Sequence, residues 1–276
     1  MAILHEKDFP FLLKQAVPNL KKLYYVGDVS LLQMRCVTFV GTRDITNYGR
    51  WVIQHLLGDF LKKTEIAVVS GLARGVDAFV HETCLERGIK TVAIVPGSIS
   101  SAIPRCNIKI FENLKRKGLI LAEYPEETNF RKEMFVLRNR LLAAISQTVV
   151  VVEAGVKSGS LITANIALEY NRDIYTIPGN INSKVSQGCN VLAKQGADVI
   201  TSLNDFKESL GIEIYVRSKG CIVLIRHKET NEALCATNTM PCSKAMAEKV
   251  ALLIIKEIKR GATPYCIRTF FFPFPK

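Results

Sequence analysis

The chain has no apolar run of 18 residues or more, which leaves no candidate for a membrane-spanning helix. Its eight cysteines, Cys36, Cys84, Cys106, Cys189, Cys221, Cys235, Cys242 and Cys266, lie scattered, and no pair has the Cys-x-x-Cys spacing of a metal site. Zinc is therefore not expected, and most of the thiols are expected to be buried and reduced. Histidine is scarce. His5, His55, His81 and His227 are the whole set, and none follows a strand end that would bring a base to Ser70, Ser98, Ser158 or Ser160. No carboxylate pair stands out for hydrolysis. Two phosphate fingerprints are also missing: Gly-x-Gly-x-x-Gly for dinucleotides and Gly-x-x-x-x-Gly-Lys-Ser/Thr for nucleoside triphosphates. No cofactor is expected. Acidic residues are few against basic ones, 25 against 37, for a formal net charge of +12 over 276 residues. Such a surplus calls for an anionic partner, nucleic acid foremost, or is simply a basic surface. The first nine residues, with His5, Glu6, Lys7 and Asp8, do not read as a signal peptide, so a cytoplasmic location and no membrane contact are expected.

What is present is a regular alternation. Apolar runs rich in Val, Ile and Thr occur at 36–40, 66–70, 91–95, 118–122, 148–152 and 174–177. Helical spacing fills the gaps at 48–62, 76–87, 108–117, 135–146 and 161–170. Strand and helix in turn predict an α/β fold with a mostly parallel sheet flanked by helices. The lack of polar alternation predicts strands covered on both faces. The expected division is a short extension over 1–22, the sheet domain over 23–210 and a small basic region over 211–276. That last region holds 11 Lys/Arg against 5 Asp/Glu. In it, 212–217 and 221–227 read as a hairpin, 243–260 as an amphipathic helix ended by Gly261, and 270–276 as a Phe-rich tail.

In parallel sheets ligands sit beyond the carboxyl ends of the strands. The most telling of these ends is Ala154-Gly155-Val156-Lys157-Ser158-Gly159-Ser160, between an apolar run and a helix. Unpaired amides and the positive end of the helix there, near Gly155, Ser158, Gly159 and Ser160, favour a phosphate. Gly41-Thr42-Arg43 is a second such turn. Gly41 lets the chain bend, and Arg43 brings a phosphate fork over the crevice unless Asp44 or Glu123 pairs with it. Ser70-Gly71-Leu72-Ala73-Arg74-Gly75-Val76-Asp77 is a third, with Asp77 as a helix-start residue and His81 one turn on as a structural partner for it. Finally, 131–140 interleaves Arg131, Lys132, Arg138 and Arg140 with Phe135. Cations beside an aromatic suit a single-strand groove, or else form a basic helix with Phe135 in the core.

Taken in order, these segments resemble the DprA/Smf family of DNA-processing proteins. The matching pieces are Val40-Gly41-Thr42-Arg43, Ser70 to Asp77 with His81, Gly118 to Pro125, Arg138-Asn139-Arg140, Val152 to Ala164, and Ile177-Pro178-Gly179-Asn180 followed by Gly188-Cys189-Asn190. The resemblance spans about residues 21–210. It implies an extended Rossmann-like domain that binds single-stranded DNA, forms a homodimer, and helps load a RecA-type recombinase onto strands taken up in natural transformation. It implies no catalytic activity and no cofactor. By motif position Arg43 resembles the family's phosphate-gripping arginine, Lys132 a basic DNA contact and Phe135 a base-stacking ring. The chain departs from the family in its short N-terminus, in Ile103 where an aromatic is usual, and after Leu210, where a divergent winged-helix-like module is the candidate reading. The rival is an enzyme of the lysine-decarboxylase-like nucleotide phosphoribohydrolases. Those carry a catalytic Glu after a Gly-rich turn, where this chain has Leu161, Ile162, Thr163 and Ala164. A third reading makes the Phe-rich tail a docking segment.

Overall fold

Strand and helix alternate along the chain as the apolar pattern demands. In the computed structural model, which describes residues 1–101, 103–216, 222–227 and 233–238, β1 (Ala2–His5), α1 (Phe11–Ala16) and β2 (Lys22–Gly27) come first. β3 (Arg35–Val40), α2 (Asn47–Leu56), β4 (Ile66–Ser70), α3 (Val76–Arg87), β5 (Thr91–Val95), α4 (Ile108–Lys117) and β6 (Leu119–Ala122) follow. Then come α5 (Glu133–Ala144), β7 (Thr148–Val151), α6 (Gly159–Glu169), β8 (Asp173–Thr176), α7 (Gln187–Lys194), β9 (Asp198–Val199) and α8 (Leu203–Ser209). The chain divides into two units, Met1–Phe206 and Lys207–Lys276.

The first unit holds a sheet of nine strands in the order β1-β2-β6-β5-β4-β3-β7-β8-β9. All neighbours from β6 to β9 are parallel, while β2 runs antiparallel to β6 and β1 to β2. This is the mostly parallel, Rossmann-like sheet expected. Every residue of β4, β5, β6 and β7 is buried. In β5, Val92 and Ile94 enter one apolar cluster while Ala93 and Val95 enter another, so both faces are covered. Each of these Val and Ile side chains contributes roughly 1.5–3 kcal/mol when fully buried. The direction of strand addition reverses between β3 and β7, which pair from Val37↔Thr148 to Val40↔Val151. A crevice opens at such a reversal.

Capping sets the helix ends. Thr46 accepts from the Gly49 amide to start α2, and Gly88, with φ 67°, closes α3 in the left-handed conformation. The run expected as one helix over 48–62 breaks at Leu56. Gly58 interrupts it, and Asp59–Lys63 forms a separate 3-10 turn. Part of the segment expected as an extension joins the sheet: β1 is its edge strand. Arg172, donating to Leu12 O (2.9 Å) and Ala144 O (3.2 Å), ties the loop after α6 to both α1 and α5. Cys36, Cys84 and Cys189 are buried free thiols and Cys106 is exposed. Among the described residues no helix is long and apolar enough to cross a membrane.

In the second unit β10 (Ile212–Val216) and β11 (Ile222–His227) form the expected hairpin, Ile212 opposite His227. A further strand, β12 (Ala233–Asn238), completes a three-stranded antiparallel sheet. The helix expected over 243–260 and the Phe-rich tail lie outside the described residues.

Gly75 is a tight joint in the first unit. Its φ of 78° and ψ of −125° suit only glycine, and a Cβ there would stand 2.3 Å from Thr42 O. Gly75→Ala is expected to cost about 2–4 kcal/mol of stability, read as a lowered urea midpoint at unchanged m-value.

Candidate functional site

Three turns meet at the carboxyl ends of β3, β4 and β7. The Thr42 amide donates to Glu153 O (2.6 Å), and Thr42 O accepts from the Val76 amide (3.0 Å). The first joins the end of β3 to the end of β7, the second to the start of α3. Arg43 then projects outward. Its guanidinium lies 5.2 Å from the centre of the Phe135 ring, a cation–π contact. The carboxylates that sequence offered as partners do not take it: Glu123 pairs with Arg140, and among the described residues no ion pair joins Arg43 to Asp44. Arg43 is exposed and its charge is not neutralised.

The turn after β7 leaves a helix start open. Ser158 caps α6, its hydroxyl accepting from the Ser160 amide (3.3 Å) and bonding the Ser160 hydroxyl (2.7 Å). Leu161 N turns back to Ser158 O (3.1 Å). Among the described residues nothing accepts from the Gly159 amide, and nothing lies within 4 Å of where a Gly159 Cβ would be. An open, positive helix end is what a phosphate seeks.

These turns border one cleft of about 530 Å³, lined by Arg43, Phe135, Lys157, Ser158, Gly159 and Lys184 among others. It lies at the reversal between β3 and β7. Gly41, Thr42, Gly155 and Ser160 also line it. A smaller hollow of about 170 Å³ shares Arg43 and Phe135 as a wall and is otherwise mainly apolar, with Leu72, Val95, Pro96 and Ile103. Phe135 is held on edge by Phe130, ring centres 5.4 Å apart. Lys132 is exposed at the start of α5 and does not line the cleft. Sequence reasoning had not picked out Lys157 and Lys184. The signal for Lys184 is a lone cation in the loop 177–186 after β8.

Several residues singled out from the sequence face inward instead. Ser70 is fully buried and donates to Phe39 O (2.7 Å), so its hydroxyl holds strands together rather than meeting a ligand. Gly71 is buried too. A Cβ there would strike the Arg138 guanidinium at 2.4 Å and Asp77 at 2.6 Å. Arg138 is only 6% exposed but lines the floor of the cleft with Asp77, while donating to Gly71 O (2.6 Å) and Ile94 O (2.5 Å). Burial lowers its guanidinium to about 10, with Asp77 opposing the shift, so it stays charged. Burial raises Asp77, and Arg138 pulls it back. Arg140 is half-buried and committed to Glu123.

The expected Asp77–His81 partnership is not formed. Asp77 accepts from the Ala73 amide (3.4 Å) near the Arg138 charge, while His81 Nδ1 bonds Thr91 Oγ1 (2.8 Å) inside the core. Burial lowers the His81 imidazole to about 3. Between its ordinary value near 6.5 and about 3, the unfolded chain binds a proton that the folded chain refuses, so stability falls as pH falls through that window. The slope is about 1.4 kcal/mol per pH unit. Urea unfolding from pH 7 to pH 4 is expected to show a shallower loss for His81→Gln than for the parent chain. Parallel curves would mean that His81 protonates in the folded state.

With this geometry in place, the likeness to known proteins is specific. Residues 1–211 match the family described as DNA recombination-mediator protein A. DNA processing protein DprA of Bacillus subtilis is 35% identical over 208 residues, 75% of this chain and 70% of that protein. Protein Smf of Synechocystis is 38% identical over 211 residues, 75% of this chain and 52% of that protein. The match thus spans about half to just over two thirds of these relatives' length. Among solved structures, DprA of Streptococcus pneumoniae superposes with a TM-score of 0.69 at 32% identity, covering 74% of this chain and 72% of that one. DNA processing protein A of Helicobacter pylori, solved for its single-stranded DNA binding mode, gives 0.68 at 31%, covering 76% and 94%.

Proposed function

This chain belongs to the DNA recombination-mediator protein A family, and we propose that it binds single-stranded DNA in the cleft between β3 and β7. The observation that carries this reading is Arg43 laid unpaired over Phe135 at the mouth of an open helix end. The cation and the Gly159 amide suit backbone phosphates, and the ring beneath Arg43 offers a face for a base once the guanidinium swings to a phosphate. Lys157 and Lys184 extend the positive lining, and Lys132 supplies charge at the rim. Gly155, Ser158 and Ser160 form the small-residue floor. Arg138, on the cleft floor, and Gly71, in the adjoining hollow, fix the turn before α3.

The protein works as a binder with no cofactor. The first turn of α6 offers Ser160, Leu161, Ile162 and Thr163 but no carboxylate, and Glu153 is held by the Thr46 amide (2.9 Å) and hydroxyl (2.5 Å). That arrangement favours a grip over the phosphoribohydrolase alternative, which needs a free Glu. We further infer that a homodimer protects incoming strands in the cytoplasm and helps load a RecA-type recombinase during natural transformation or recombination. Membership of a recombination-mediator family supports that role. Strand-exchange assays with a RecA-type protein and sedimentation of the full chain test it.

Single strands are expected to bind at least about tenfold tighter than duplex of the same length, because a stacked duplex cannot splay a base onto a ring. Affinity should fall steeply with salt as counterions are released. Arg43→Ala should weaken binding about tenfold or more while shifting stability by less than about 0.5 kcal/mol, since the side chain is exposed. Gel shifts at two salt concentrations check the affinities, and urea unfolding checks the stability. Equal affinity for both forms of DNA would sink the proposal.

A further inference from the structure

The motif Pro178-Gly179-Asn180 with Asn190 has no part in the cleft just described, yet it is built with care. Asn190 clamps Gly179 by two hydrogen bonds, accepting from its amide (3.2 Å) and donating to its carbonyl (3.0 Å). A side chain at Gly179 would collide with the Ser186 hydroxyl at 2.2 Å. The Tyr48 phenol donates to Pro178 O (2.8 Å), tying the start of α2 to this loop. With Asn190 holding the loop from behind, Tyr48, Pro178 and Gly179 help wall a second large cavity of about 650 Å³, lined also by Thr46, Asn47, Asn180, Ser183 and Ser186 above Glu153.

The two cavities flank the same strand-order reversal. Thr42, Arg43 and Asp44 face the first, and Thr46, Asn47 and Tyr48, on the same turn, face the second. Lys184 and Val185 face the first, and Ser183 and Ser186, their chain neighbours, face the second. Their chemistry differs. The first holds Arg43, Lys157 and Lys184, whereas the lining of the second carries no cation and one carboxylate, already engaged by Thr46. A phosphate is unwelcome there. An uncharged group with donors and acceptors on a flat edge is not. Ser186 is 4% exposed, and among the described residues none takes its hydroxyl. The amides of Asn47 and Asn180 are exposed. Tyr48 is 43% exposed, its ring fixed by the bond to Pro178. Burial, then Glu153, raises its phenol above the usual 10, so it remains a donor.

We propose that this second cavity is a nucleobase pocket for the strand gripped in the first: a base downstream of the Arg43-held phosphate stacks on Tyr48, and its edge meets Asn180 and Ser186. The inference rests on the single-strand reading above and extends its footprint across the β3–β7 reversal. A cavity of this size holds a nucleoside-sized ligand, and stacking on an aromatic is tolerant of base identity.

The test is an abasic scan. Oligo(dT) strands, each lacking one base at a successive position, are titrated against the parent chain, Tyr48→Ala, Asn180→Ala and Arg43→Ala, with urea midpoints as a folding control. In the parent chain two separate positions are expected to be sensitive, each weakening binding about tenfold. One should fall silent in Tyr48→Ala and Asn180→Ala while the other persists. Strands too short to reach the second cavity should bind the parent chain and Tyr48→Ala equally. A scan of Tyr48→Ala identical to that of the parent chain, with Arg43→Ala still weak, overturns this inference and leaves the cleft intact. A parent chain that binds no single strand overturns both.

Discussion

The backbone of Thr42 joins what the chain keeps far apart. Its N–H goes to the carbonyl of Glu153 and its C=O to the amide of Val76, so the ends of β3 and β7 and the start of α3 move as one body. Both partners are backbone atoms, and the contact therefore depends on shape more than on side-chain identity. Gly41 must be bare because Val76 fills its side. Gly75 must be bare because Thr42 O and Arg43 crowd it. Arg43 is aimed by this knot and not by any carboxylate, which is why its charge stays available.

Beneath the knot, a buried arginine does the work usually left to apolar packing. Arg138 reaches from α5 to the carbonyls of Gly71 and Ile94 with Asp77 beside it. A buried charge of this kind contributes little net stability, because desolvation offsets attraction, but its hydrogen bonds fix geometry. The geometry fixed here is the turn from Gly71 to Gly75, including Leu72 in the left-handed region at φ 56°. Asn107 adds a second hold through Leu72 O (2.9 Å) and Ala73 O (3.2 Å). Strain next to a ligand cleft persists only where its surroundings over-determine it, and here they do.

Much of the fold was legible because the central strands are buried on both faces and so appear as plain apolar runs. Residues 66–70 and 91–95 agree with the structure to the residue. β1 is a four-residue edge strand with only Leu4 buried, too short for any periodicity. The site was legible as turns but not as directions. Ser70 and Ser158 both end or follow strands in small-residue turns, yet one hydroxyl points into the sheet and the other caps an exposed helix. Spacing on a helix could not separate Arg138 from Lys132 either. Arg138 goes inside because two carbonyls and Asp77 await it there, and those partners come from distant parts of the chain.

The cleft draws on residues 43, 135, 158 and 184, which no short stretch of sequence contains together. The lining is complete only once β7 has paired beside β3 and the loop carrying Lys184 has followed, so the cleft is a property of the assembled sheet and of no fragment of it.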